Sequence, residues 1–402
     1  MTEPPIYLDY NATTPVDPAV LAAMLPHLEY RNPQTGAIGH FGNPSSAHAY
    51  GRAAHDAVEA ARGQVAALLG ADPDEVVFTG GGSEASNLAI KGTCLSRPRG
   101  LLGRLFGGRD PDRAHVITTA VEHPATLQPV EFLRRLGTQV TILGVDRFGM
   151  VDPDDVRKAI TPRTRLVTVM HSNNEVGTLL PIREIASVCR EHGVLVHTDC
   201  AQSLGKVPVS VRELGVDFLT VAGHKLYAPK GVGALYVRRG VTVEPLIHGA
   251  GHESGRRAGT ENVPYIVGLG VAAEVAAKSL PGAADGLRQL RDRLHQKLQA
   301  ALGERLVLNG HPEKRLPNTL NVNFAGHVGA EFLAKVPGVA ASTGSACHEG
   351  KVTQSAVLCA MGVPPEVGKG AVRLTVGRYT TEDELDRAAE LLIQVGLSDP
   401  EA

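Results

Sequence analysis

Two groups at the ends of apolar runs carry the first chemical signal in this chain. The segment Asp217-Phe-Leu-Thr-Val-Ala-Gly-His-Lys225 runs straight into a lysine, and Val194-Leu-Val-His-Thr-Asp199 ends on a carboxylate. A lysine at a strand end is, alone, ordinary surface chemistry. Set beside an acid at the end of another strand, it becomes the pair that a pyridoxal cofactor requires. The amine forms a Schiff base with the cofactor aldehyde, and the carboxylate keeps the pyridine nitrogen protonated. Such a cofactor also carries a phosphate. Phe78-Thr-Gly-Gly-Gly-Ser83-Glu-Ala reads as a strand-to-helix turn whose glycines let main-chain N–H groups approach an anion at a helix N-terminus. In a chain without Trp, His123, just after the run His115–Thr119, is the group placed to stack on the ring.

A nucleophile completes the set. Cys347 lies in Ser342-Thr-Gly-Ser-Ala-Cys-His-Glu-Gly350, a stretch too small and polar to be core, where His348 favours the thiolate. Cys94, Cys189 and Cys359 sit in apolar helical contexts and read as small buried hydrophobes, as does Cys200 beside Asp199. Five scattered cysteines without CxxC spacing argue against a disulfide framework or a local zinc motif.

Positioning these groups calls for a sheet. Short β-branched runs at 76–79, 115–119, 139–143, 165–170, 194–199, 218–222 and 233–237 alternate with helical patterns at 84–92, 125–136 and 182–192. Gly193 stands where the last of these helices should stop. This rhythm predicts an α/β fold, a mainly parallel doubly wound sheet whose ligands bind at the carboxyl ends of the strands. Past Pro264 a long helical segment (265–302), a strand at 319–324 and a helix at 385–395 predict a smaller α+β domain. The expected organisation is an N-terminal segment (1–20) joining the small domain, a large cofactor-binding domain (21–262) and the small domain (263–402). The Arg- and Gly-rich stretch 96–113 interrupts the rhythm as an exposed insertion.

The composition fits a globular protein: 402 residues, 43% hydrophobic and 20% charged, with a net charge of −2 that offers no field for nucleic acid or an anionic membrane. No secretory signal pattern or uninterrupted apolar span of membrane length is expected, and the chain reads as cytoplasmic with reduced cysteines.

Several motifs together resemble the cysteine desulfurases, in the class V aminotransferase group of fold-type I pyridoxal enzymes. They are Tyr7-Leu-Asp-Tyr-Asn-Ala-Thr-Thr-Pro15, Gly42-Asn-Pro-Ser-Ser46, Glu122-His-Pro124, Asn173-Asn-Glu-Val-Gly177, Asp199-Cys-Ala-Gln202, Ala222-Gly-His-Lys225 and Arg256-Arg-Ala-Gly-Thr260. The resemblance covers the chain apart from the 96–113 insertion. It implies pyridoxal 5'-phosphate on Lys225, Asp199 against the pyridinium, and His123 stacked on the ring and moving protons. It implies Gln202 on the phenolic oxygen, and Gly82, Ser83 and His224 on the phosphate. Thr260 would reach the phosphate of a neighbouring subunit, making the enzyme a homodimer with shared sites. Asn174, near the cofactor, and Arg373 would grip the substrate carboxylate with Asn11, a planar task suited to Arg. Cys347 would take sulfur from L-cysteine as a persulfide and leave alanine. The sulfur would go to iron–sulfur clusters or other products through a scaffold protein, with no resident metal beyond a transient iron–sulfur contact at Cys347.

Ala222 departs from the pattern, standing where a Ser or Thr hydroxyl would reach the phosphate. The alternative readings are a selenocysteine lyase, which Gly344-Ser-Ala-Cys-His348, Gly362-Val-Pro364 and Val372-Arg-Leu-Thr-Val-Gly-Arg378 also resemble, a transaminase or decarboxylase, and a catalytically silent binding protein. Cys347 speaks against the transaminase, and an intact Lys225, Asp199 and His123 against the silent protein.

Overall fold

The computed structural model describes residues 4–96, 114–343 and 354–398. Most of the 96–113 insertion and the segment carrying Cys347 lie outside the described residues. After β1 (Ile6–Tyr7), all seven expected sheet strands form: β2 (Val76–Thr79), β3 (His115–Thr119), β4 (Gln139–Leu143), β5 (Thr164–Thr168), β6 (Leu195–Asp199), β7 (Phe218–Ala222) and β8 (Gly233–Val237). They make one sheet in the order β2-β8-β7-β6-β5-β3-β4. Its pairings are parallel except at β8, which runs against both neighbours. The strand expected to reach residue 170 stops at Thr168, because Met170 donates its N–H to the Glu122 carboxylate at 2.9 Å.

Strands β2, β3, β5, β7 and β8 are buried along their whole length. That is why they read as continuous apolar runs and not as alternation. Helices Gly82–Leu95 and Pro124–Arg135 cover one face, packing Leu88, Ile90, Val130 and Leu133 with Phe218 and Leu235. Helices Ala49–Leu69 and Ile182–Glu191 help cover the other. Ala49–Leu69 was not expected from the sequence. It buries Ala54, Val58, Ala61, Val65 and Leu69 and ends at Gly70 in the left-handed conformation, φ 68°. It packs along the helix Val263–Leu302 so closely that a Cβ on Gly270 would lie 2.6 Å from the Ala61 Cα.

That 40-residue helix begins with the Asn262 side chain accepting from the Tyr265 N–H at 3.4 Å. It is long and apolar enough to cross a membrane by length and composition. Here Ile266, Leu269, Ala272 and Ala276 join the sheet core, while Leu294, Leu298 and Leu302 join a second core. The second core surrounds a three-stranded antiparallel sheet of β9 (Leu306–Leu308), β10 (Thr319–Phe324) and, beyond the short β11 (Val339–Ala340), β12 (Ala371–Thr375). Phe324 and Phe332 stack there at 4.0 Å, and burying each such side chain contributes about 1.5–3 kcal/mol. β1 pairs in parallel with β11, placing Ile6 and Leu8 in this core. The one helix Val263–Leu302 runs through both cores.

Candidate active site

The segments that follow β2, β3, β5, β6 and β7 meet at one edge of the sheet, around a cavity of about 770 Å³. Such an edge is where open α/β sheets bind ligands. Gly82, Ser83, His123, Asn174, Asp199, Gln202, His224, Lys225, Arg373 and Asn11 all line this cavity.

After β2, Gly81 takes φ 145° and caps the helix Gly82–Leu95 without a side chain. The first amides of a helix have no intrahelical acceptor, and those of Gly82 and Ser83 begin a helix whose start opens into the cavity. Glu84, at the cavity edge, is held by accepting from the Gly80 N–H at 2.8 Å and from Arg257 at 2.9 Å. A Cβ on Gly82 would stand 3.0 Å from the Ala222 Cβ, so the close approach of backbone to a ligand there depends on glycine.

β7 leads through the turn Gly223–Lys225 to the Lys225 amine, which donates to the main-chain carbonyls of Asn11 and of Ala12, the latter at 2.9 Å. Burial, then the Arg373 guanidinium, pulls its pKa down to about 8 against the opposing pull of Asp199 and Asp9. Asp199, at the end of β6, accepts the Ala201 N–H at 2.9 Å. Burial pushes its pKa up, though His123 and Lys225 oppose this. No ion pair reaches this carboxylate among the described residues, and a protonated ring nitrogen would supply a cation at close range. His123 caps the helix Pro124–Arg135, its Nδ1 accepting from the Ala125 N–H at 3.1 Å. That bond places the proton of the neutral ring on Nε2, and burial lowers its pKa. His224 is held at Thr13 Oγ1, 3.2 Å away, with a pKa lowered by burial to about 4.

Arg373, on β12, donates to the Asn174 carbonyl at 3.0 Å and to Asp9 at 2.8 Å. Its Nε is buried with no protein partner among the described residues. The guanidinium thus keeps N–H groups beyond those two bonds. Asn11 is different. Its Nδ2 donates to Thr319 at 2.9 Å and Asn174 at 3.3 Å, and its Oδ1 accepts from Asn318 at 3.0 Å and Lys206 at 3.2 Å. The Asn11 amide is thus engaged in the framework, and its main-chain carbonyl faces the working groups.

Thr260 does not line this cavity; it is exposed on a loop anchored by Glu253. The Glu253 carboxylate, buried, takes two bonds from Arg62 at 2.8 and 2.9 Å and one from the Phe78 N–H at 2.8 Å. Cys347 lies outside the described residues, five positions beyond Ser342, which lines the cavity. Cys94, Cys189 and Cys200 are buried, and burial raises all three thiols, the first two to about 12. Cys359 corrects the expectation: the short helix Ala356–Ala360 buries Val357 and Leu358 and leaves Cys359 exposed.

Three groups escaped the sequence reading. Glu122 is buried and pushed up to about 8 while accepting from Thr119 at 2.8 Å and Met170. Glu175, pushed up to about 7 by burial, accepts from the Ser355 hydroxyl. Lys206 is buried beside Gln202. Glu122 and Glu175 stand inside motifs already quoted, Lys206 four residues after Gln202.

The fit to pyridoxal phosphate is that of its three polar ends: an anion cradle at a helix start, a buried unpaired carboxylate and a depressed lysine amine, on one cavity. The aminotransferase class-V family model matches residues 6–388. The chain is 42% identical to cysteine desulfurase IscS of Dictyoglomus turgidum over 97% of this chain and 94% of that protein. It is 45% identical to a cysteine desulfurase of Trichormus azollae, over 97% of this chain and 92% of that one. A solved NifS-like protein superposes with a TM-score of 0.85 at 35% identity, covering 97% of this chain and 99% of its own. SspA in complex with cysteine gives 0.77 at 36% identity over 93% and 99%. The chain belongs to the class-V aminotransferase family and, within it, to the cysteine desulfurases.

Proposed function

We propose that this enzyme converts L-cysteine and its own Cys347 thiol to L-alanine and a Cys347 persulfide, with pyridoxal 5'-phosphate held on Lys225. The observation that carries the reading is the convergence of Lys225, Asp199, His123, Arg373 and the Gly82–Ser83 helix start on one cavity. When bound, the cofactor supplies an electron sink for the substrate α-carbon. The Gly82 and Ser83 amides with His224 hold its phosphate, Gln202 its phenolic oxygen, and Asp199 its ring nitrogen. Arg373 and Asn174 hold the substrate carboxylate and so orient the α-C–H bond. Lys225, depressed to about 8, has enough neutral amine near pH 8 to take that proton and return one to carbon. His123, neutral with its proton on Nε2, can donate to or accept from groups over the ring. In the sulfur step the substrate C–S bond breaks with its electron pair left on the substrate β-carbon, and an S–S bond forms to the Cys347 sulfur. The proton that the Cys347 thiol gives up to solvent or a base is matched by one delivered to that carbon to complete the alanine methyl.

Thr260, exposed and off its own cavity, supports a homodimer in which it serves the partner's phosphate. The exposed, mutually packed Tyr30, Phe41 and Tyr50 offer apolar surface for that association. A thiol nucleophile suits the reducing cytoplasm, and a scaffold protein would accept the sulfur for iron–sulfur clusters. Ala222 and the Cys347 context keep L-selenocysteine as the second substrate reading. Purified enzyme given L-cysteine or L-selenocysteine, with alanine, sulfide and selenide quantified, tests both. No alanine from either refutes the function, and alanine from selenocysteine alone reverses the preference.

A further inference from the structure

Lys206 sits behind the cavity, 6% exposed, and its Nζ donates to Gln202 Oε1 at 3.0 Å and to Asn11 Oδ1 at 3.2 Å. Its hydrogen bonds include no carboxylate. A lysine placed this way carries a desolvation cost that nothing of opposite charge offsets, which calls for a reason. Two amide oxygens are its acceptors among the described residues, and a lysine side chain in either protonation state offers them at least two N–H groups. Both amides must therefore turn their oxygens toward Lys206 and their nitrogens away.

For Asn11 the orientation is also fixed by Asn318, Thr319 and Asn174. Gln202 has fewer restraints. Its Nε2 donates once, to the Asn11 carbonyl at 2.9 Å, and its Oε1 faces Lys206. The same Asn11 carbonyl accepts from the Lys225 amine. Lys206, Gln202, Asn11 and Lys225 thus form one chain of donors and acceptors that ends at the reacting nitrogen. The pKa of Lys206 is drawn down to about 7 by burial and by the cations Lys225 and Arg373, but both of its protonation states can keep the two bonds.

We propose that Lys206 is a positioning residue that locks the Gln202 amide with its N–H toward the cavity, where it meets the cofactor's phenolic oxygen. The inference rests on the reading that pyridoxal phosphate occupies this cavity. Beyond Lys206 lies a second, mainly apolar cavity of about 260 Å³, walled in part by Lys206, Lys225, Leu287 and Leu290. It gives a longer side chain room.

The test is the pH midpoint of the absorbance change of the cofactor bound to the holoenzyme, measured without substrate. A Gln202 N–H on the phenolic oxygen stabilises its anionic form, so losing that orientation raises the midpoint. Lys206→Met should raise it by about 0.5–1 pH unit, the worth of one hydrogen bond. Lys206→Arg, which can only donate, should stay within a few tenths of wild type. In a Gln202→Leu background, Lys206→Met should move the midpoint no further, since a residue acting through Gln202 is non-additive with it.

An unchanged midpoint in Lys206→Met overturns the proposal, as does a full additional shift in the Gln202→Leu background, which would mean action by charge alone. Should Lys206→Met not fold, Lys206→Leu decides, since it too has no N–H to offer the two amides, and a midpoint equal to wild type would overturn the lock. A wild-type protein that takes up no pyridoxal phosphate refutes the cofactor reading itself, a separate outcome visible before any variant is made.

Discussion

On the proposed chemistry, the depressed Lys225 amine sets the pH at which the apoenzyme captures pyridoxal phosphate. Only the neutral amine attacks the aldehyde. With a pKa of about 8 in place of 10.5, the neutral fraction at pH 7 rises from about 0.03% to about 9%, some 300-fold. The rate of covalent capture, followed by absorbance and trapped by borohydride, should therefore rise with pH and level off just above pH 8. Two variants should move that midpoint in opposite directions. Removing the Arg373 guanidinium, a neighbouring cation that disfavours the ammonium, by Arg373→Gln should raise it by roughly half a unit to one unit. Removing the Asp199 charge, which favours the ammonium, by Asp199→Asn should lower it by a similar amount. The amplitude in Asp199→Asn is expected to fall, but the midpoint is the readout. A rate still climbing at pH 10 in wild type, or variants shifting in the same direction, would refute the electrostatic account.

Cys347→Ala should retain covalent cofactor capture and lose L-cysteine turnover, while some selenocysteine cleavage survives because the C–Se bond is weaker. Cys359→Ala, at the exposed thiol among the described residues, should keep full turnover; loss there would move the nucleophile. Ala222→Ser places a hydroxyl beside the Gly82 turn and should tighten cofactor binding by roughly 1.5–3 kcal/mol, read as slower loss on dialysis. Glu253→Ala leaves the buried Arg62 with only the more exposed Glu59 as a carboxylate partner and should cost about 3 kcal/mol of stability in denaturant titration, with Arg62→Ala on top recovering part of it.

The groups legible in the sequence share one property: each is a polar residue placed where an apolar strand stops. Asp199 closes β6, Lys225 follows β7 and His123 follows β3, so local pattern alone located them. The helix Ala49–Leu69 had a comparable signal in the spacing of Ala54, Val58, Ala61, Val65 and Leu69, diluted because its apolar face is largely alanine. The Cys359 reading failed on length. An apolar stretch suggested a buried helix, but five residues make little more than one turn, which buries Val357 and Leu358 and leaves Cys359 outside.

The framework behind the site was illegible for a stronger reason. Whether Asn11 grips a substrate or braces the protein is decided by Asn174 and Thr319, 163 and 308 residues away in the chain. Lys206 likewise looks like any lysine in a turn until Asn11, 195 residues away, is brought to it. Residue type and strand register determine which atoms can react. Partners contributed by distant segments determine which of those atoms are already engaged, and that second condition separates Arg373, with N–H groups to offer, from Asn11, with none.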